Sequence, residues 1–216
     1  MLFRSQNQTE EEFADSRFQV LSELTRLRQL CCDPALVYEN YEGGSAKLDL
    51  CIELIQSAVE SGHKILLFSQ FTSMIEILTA RLQEESISCF VLQGSTKKEQ
   101  RAQMVEQFNR DDTSVFCISL KAGGTGLNLT GADIVIHYDP WWNVAVENQA
   151  TDRAHRIGQK NVVTVYKLIA KGTIEEKIIK LQQMKKELAE EILSGDEIKT
   201  ASFQREELLE LLEERF

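Results

Sequence analysis

The chain has 216 residues, 43% of them hydrophobic and 27% charged, the mix of a globular protein with a core of its own. Two prolines and eleven glycines exclude collagen-like and low-complexity stretches, and the longest apolar runs, near Ile65–Phe68 and Val115–Ile118, are far too short for a membrane span. The formal net charge of −10 is uneven: residues 1–93 carry 7 basic and 14 acidic groups, residues 94–171 carry 10 and 8, and residues 172–216 carry 7 and 12. An acidic chain with a less acidic middle neither requires nor excludes nucleic acid, because whole-chain charge speaks to solubility rather than fold. The start, Met1-Leu2-Phe3-Arg4-Ser5-Gln6, turns polar at once, so no secretory signal is expected. The five cysteines, Cys31, Cys32, Cys51, Cys89 and Cys117, form no CxxC pair. Reduced thiols in a cytoplasmic protein are expected rather than a zinc site.

In chain order, residues 9–32 read as a helix with Phe13, Val20, Leu24, Leu27 and Cys31 near one face, stopped by Pro34. Residues 40–45 are a polar loop. Residues 47–60 are helical again, with Leu48, Cys51, Ile52, Ile55 and Val59 on a stripe that Gly62 ends. The rhythm then changes. Apolar runs at 64–68, 89–92, 114–119, 133–137 and 162–168 read as buried strands, and the stretches after the first two (the second at 96–108) and at 144–155 read as helices. A long helix is expected from Thr173 to about Leu193 and a short one over 206–214. Strand–helix alternation at this spacing predicts an α/β fold with a parallel sheet and helices on both faces. The helices before Ile65 and after Thr173 are expected to brace it.

In open α/β sheets, ligands bind beyond the carboxyl ends of the strands. The segments there are Ser69-Gln70-Phe71-Thr72, Gln93-Gly94-Ser95-Thr96, Leu120 to Asn128, and Tyr138 to Asn143. The Gly123-Gly124-Thr125-Gly126 loop offers amides to an anion, phosphate being the natural guest, or is only a turn. It is neither a P-loop nor a dinucleotide fingerprint. On a helix over 144–155, Gln149, Arg153 and Arg156 share one face and can clamp phosphate oxygens, or form a solvated face paired with Glu147 or Asp152. Trp141 and Trp142 fit core or ligand, and His137 fits the core.

Taken together, several strings occur in a diagnostic order: Lys64–Phe71, Gly94-Ser95-Thr96 with Arg101, Ala122–Asn128, Asp139-Pro140-Trp141-Trp142-Asn143, Gln149–Gln159, Val165–Leu168 and Gly172–Glu176. The chain resembles the second RecA-like lobe of the SWI/SNF-type DNA-dependent ATPases, within helicase superfamily two. The Arg-Ile-Gly-Gln ending at 156–159 separates this family from helicase cousins whose motif ends in Gly-Arg. The resemblance covers nearly the whole chain. It implies a RecA-like three-layer lobe over 47–172, a helical linker or protrusion over 1–46, and bracing helices over 173–216. Arg153 and Arg156 look like arginine fingers for the γ-phosphate of ATP held, with Mg2+, by a first lobe. Gln149, Gly124 and Gly126 resemble the segments near the nucleotide. Ser69, Gly94, Ser95, Ser119, Lys121, Thr125 and Asn128 are similar in position to groups that hold the backbone of double-stranded DNA, and Trp142 to an aromatic abutting the duplex. Such contacts carry no sequence information.

Two departures stand out: Gln93 where the family usually has Asp, and Val144 where it usually has Pro. The sequence has no Walker A lysine and no acidic pair at the end of an apolar strand. It is therefore expected to hold half an active site, as the C-terminal part of a larger polypeptide whose partners are the first RecA-like lobe and duplex DNA. Its location would be cytoplasmic, at a nucleoid or in a nucleus. A non-catalytic binding module is the alternative, its acidic flanks docking a basic partner such as an RNA polymerase surface. A flavodoxin-like domain with an unrelated ligand is the third.

Overall fold

The structure, a computed structural model, describes residues 10–120, 122, 127–156, 159 and 161–193, with side chains described between 19 and 186. Helix α1 spans Glu10–Cys32 and is followed by a 3-10 turn, Pro34–Leu36, capped by the Asp33 carboxylate, which accepts from Ala35 N at 2.8 Å. Helix α2, Ala46–Glu60, opens on Ser45, whose hydroxyl accepts from Leu48 N, and closes on Gly62 at φ +81°. There His63 N donates to Ala58 O and Gly62 N to Val59 O, the paired bonds of a Schellman end. Strands β1 (Ile65–Ser69), β2 (Cys89–Leu92), β3 (Val115–Ser119), β4 (Ile134–His137) and β5 (Thr164–Lys167) alternate with α3 (Thr72–Glu84), α4 (Lys98–Phe108) and α5 (Val144–Thr151); α6 is Ile174–Leu193.

The sheet has the order β2-β3-β1-β4-β5, parallel throughout. Every residue of β3, β1 and β4 is buried, which is why these segments read as continuous apolar runs. At one edge β5 is exposed along its whole length. Alternation across the pleat divides the core in two. Ile65, Leu67, Val115, Cys117 and Ile136 pack with Cys51, Ile55, Met74 and Leu78 of α2 and α3. Leu66, Phe68, Phe116, Ile118 and Val135 pack with Phe108 of α4 and Ala150 of α5. A third cluster joins Leu24 of α1 to Ile174, Ile178 and Leu181 of α6, with Trp142 against it. Helices thus cover both faces, and α1 and α6 form a separate bracing pair.

Several boundaries differ from the sequence reading, and two of the differences have a reason in the hydrogen bonds. Helix α4 starts at Lys98 rather than Thr96, because Arg101 takes the carbonyls of Thr96, Gln93 and Gly94 at 2.8, 3.3 and 3.0 Å. The fifth strand is shorter than residues 162–168. Helix α5 ends at Thr151, not His155. Beyond it the Arg153 carbonyl accepts from Leu129 N at 3.0 Å, which draws the chain off the helical path. The expected helix over 206–214 lies outside the described residues.

Candidate nucleotide and DNA interface

The carboxyl ends of the strands bring Ser69, Gln93, Leu120 and Tyr138 to one rim, as the parallel register requires. Behind β2, the three carbonyl bonds to Arg101 fix the turn Gln93-Gly94-Ser95-Thr96. Gly94 and Ser95 are exposed there, and a Cβ built on Gly94 meets no atom within 4 Å. The backbone of this turn is therefore open to a large guest. Asn128 is also exposed, its carbonyl held by Asn109 Nδ2 at 2.8 Å. Lys121, Gly124, Thr125 and Gly126, expected at the same rim, lie outside the described residues.

Ser69 and Ser119 do not face a guest. Ser69 is fully buried and donates to Asp139 Oδ1 at 2.6 Å, while Ser119 is 2% exposed and its hydroxyl accepts from Ala122 N at 3.3 Å. Both hydroxyls are occupied inside the protein and shape the turns after β1 and β3. Asp139 also accepts from Gln70 N at 3.2 Å and faces Arg28 Nη2 at 3.6 Å. Burial raises its carboxyl above the ordinary value, while Ser69 and Arg28 pull it back. Arg28, from α1, donates to Pro140 O at 2.5 Å and lies over the rings of Trp142 and Phe71 at 5.1 and 5.7 Å. Burial pulls its own pKa down, and Asp139 opposes that shift. Trp142 is accordingly half-buried between Arg28 and the α1–α6 cluster, so its packing is that of a bracket. His137 is in the core as expected. It stacks on Phe68 and bonds Thr151 Oγ1 through Nε2 at 3.0 Å, and burial pushes its pKa down to about 4.

The arginine segment does not present one helical face. Gln149 and Arg156 are exposed, whereas Arg153 turns inward and is 2% exposed. Arg153 Nε is buried without a hydrogen-bond partner, and its guanidinium meets no carboxylate among the described residues. Burial first, and the positive charge of Arg156 second, lower its pKa. The neighbouring Asp152 opposes the shift without pairing, and an arginine stays charged under such shifts, so a buried cation with no ion pair among the described residues remains beside a second one. That arrangement is suited to an anion with several oxygens, such as a phosphate. Glu147, one of the two expected counter-ions, is 1% exposed and pairs with Lys167 at 2.5 Å instead.

Gln159 explains the end of the motif. Its Nε2 donates to Ala132 O at 2.6 Å, with Thr130 O and Ala154 O at 3.3 and 3.4 Å, while its Oε1 accepts from Asn161 N at 2.9 Å. An amide, donor and acceptor at once, staples the arginine turn to the loop before β4. Sequence reasoning assigned no role to Arg28 or Gln182, read Glu147 only as a surface partner for the arginines, and used Gln159 only as a family mark. For Arg28 a signal existed: it is a charge on the apolar stripe of α1, between Leu24 and Cys32. No group of three or more His, Cys, Asp or Glu suited to a metal occurs among the described residues. No helix among them is long and apolar enough to cross a membrane.

Residues 46–158 match the model of the helicase conserved C-terminal domain. The chain is 45% identical to the putative ATP-dependent helicase/translocase YwqA of Bacillus subtilis over 184 residues, 82% of this chain and 20% of the relative. It superimposes on the SWI2/SNF2 ATPase C-terminal domain of Sulfolobus solfataricus with a TM-score of 0.72 at 31% identity, covering 96% of this chain and 85% of that one. It matches the core of the Sulfolobus SWI2/SNF2 ATPase in complex with double-stranded DNA with a TM-score of 0.69 at 36% identity, covering 83% of this chain and 38% of that one. The chain spans about a fifth of the length of the curated helicases it matches. A RecA-like sheet, a rim of exposed backbone and a buried arginine at the end of a matched helicase motif agree with these likenesses: the chain belongs to the helicase conserved C-terminal domain family, in its SWI2/SNF2 branch.

Proposed function

We propose that this chain is the second lobe of an ATP-driven translocase on double-stranded DNA. A first RecA-like lobe would hold ATP and Mg2+, and this lobe would present Arg153 and Arg156 to the terminal phosphate. The observation that carries the reading is the buried Arg153 guanidinium with no carboxylate counter-ion among the described residues. A phosphate delivered across the interlobe cleft supplies the missing charge. Arg156, exposed three residues on, donates through Nε to Asp152 O at 3.3 Å and would turn toward the same group. Binding of the γ-phosphate would then close the lobes and hydrolysis would release them. Gln149, Gly124 and Gly126 would line the nucleotide side.

The exposed turn at Gly94 and Ser95, with Lys121, Thr125 and Asn128, would hold the DNA backbone without reading bases. Ser69, Ser119 and Trp142 would act behind that surface, by shaping the turns that carry it. Likeness to a Sulfolobus core bound to double-stranded DNA supports the choice of duplex as track. The test is DNA-stimulated ATP hydrolysis by the two-lobe protein. Arg153→Ala and Arg156→Ala should each lower turnover by roughly 10³-fold or more, as loss of an arginine finger does, with duplex affinity retained. Preserved turnover in either variant would refute that residue's assignment.

A further inference from the structure

The turn that opens α5, the helix leading to Arg153, is not held by the sheet alone. Of its carbonyls, Pro140 O is taken by Arg28 of α1, and Trp141 O accepts from Gln182 Nε2 of α6. Gln182 is 7% exposed, and the same Nε2 donates to Glu147 Oε2 at 3.3 Å. Glu147 lies in the first turn of α5, accepts from Trp141 N at 3.4 Å, and pairs through Oε1 with Lys167 of β5 at 2.5 Å. One buried carboxylate thus joins α5 to β5, to the preceding turn and to α6. Without Gln182 this buried carboxylate would keep its lysine and lose a donor, and the unmet demand would shift the group that carries it. That group is α5, whose last residue is two positions before Arg153.

We infer that Gln182 is a positioning residue for Arg153: it ties α6 to α5, the helix that leads into the arginine turn, so that the seating of α6 sets whether that turn is in place. The inference rests on the function proposed above. A misplacement of about 1 Å at a transition-state group lowers turnover by about 100-fold at the extreme, while the ground-state affinity for DNA, which other residues supply, is unchanged. Displacing α6 would accordingly switch turnover off without dissociating the track.

The experiment compares DNA-stimulated ATP turnover of the two-lobe protein as wild type, Gln182→Met, Met184→Ala and Arg153→Ala. Methionine keeps the volume of glutamine and removes the donor. Met184 is 53% exposed on the same helix and controls for a change in α6 itself. Gln182→Met should lower kcat per folded molecule about tenfold or more, with KM for DNA within about twofold and a melt lowered only by the few degrees that a lost buried hydrogen bond costs. Met184→Ala should match wild type. An unchanged kcat in Gln182→Met, beside an inactive Arg153→Ala, would overturn the inference alone. A kcat that falls only with the folded fraction would also overturn it, since Gln182 would then be merely structural. Should Gln182→Met melt early, kcat per folded molecule, read well below the melt, must still fall about tenfold, and a wild-type value there would overturn the inference. Full turnover in Arg153→Ala would instead sink the proposed function.

Discussion

Arg153 and Arg156 are three positions apart, yet one is buried and the other exposed. The same contrast separates the rim serines. Ser69 donates its proton to a fully buried carboxylate, whereas Ser95 faces outward. Ser69→Ala should cost about 1.5–3 kcal/mol, the range for a hydrogen bond to a charged group, and leave DNA affinity unchanged. Ser95→Ala should shift stability by less than about 0.5 kcal/mol and weaken duplex binding. Urea unfolding and a duplex titration on each variant separate the two roles. His137 gives a pH test. Its folded pKa of about 4 lies below the ordinary 6.5, so the unfolded chain binds the extra proton between those values. The contribution of neutral His137 is present above pH 6.5 and lost as pH falls toward 4, on the order of 3 kcal/mol. Asp139, raised by burial, acts in the opposite direction, so the measure is the difference between wild type and His137→Gln. The urea midpoint should fall more steeply in wild type across that window.

At the scale of elements, helix ends decide where the chain turns, and two of them are testable. Helix α3 closes as α2 does, with Ile87 N donating to Leu82 O and Ser86 N to Gln83 O, but the left-handed position is Ser86 at φ +59°. Ser86 is exposed, so Ser86→Gly removes a backbone penalty and no contact. It should stabilise the fold by about 0.5–1 kcal/mol, less than the full left-handed cost because glycine also loses more entropy on folding. Helices α2 and α6 are joined by Lys47, whose Nζ lies 2.7 Å from both oxygens of the fully buried Glu175. Lys47→Met strands that carboxylate and should cost about 3–5 kcal/mol, read by urea unfolding. Glu175 keeps Ala170 N at 2.8 Å, which bounds the loss.

At the scale of the molecule, the sheet carries the rim while α1 and α6 hold the turn between β4 and the arginines. On the function proposed above, a lobe built this way would contribute charge and position, its sequence having no Walker A lysine. This chain alone should hydrolyse ATP no faster than buffer, with or without duplex, and should regain DNA-stimulated turnover when joined to its first lobe. Its duplex affinity should fall linearly with salt on a log–log plot, the slope counting phosphate contacts. A slope no shallower than that of the two-lobe protein would mean that this lobe supplies all of them.

Much of this was legible in the residues. Strand β2 has the limits its apolar run marks, and β1, β3 and β4 start one residue inside theirs, because alternation, apolar runs and caps are local properties of a chain. Motif order identified the family for the same reason. Only the tertiary structure decided that β3 lies between β2 and β1, that Ser69 and Ser119 point inward, and that Arg153 leaves the helix for a buried turn. It also decided that Arg28 and Gln182 hold the two carbonyls of one turn. These partners are 112 and 41 positions apart, and the energy that joins them depends on desolvation and distance rather than on spacing along the chain.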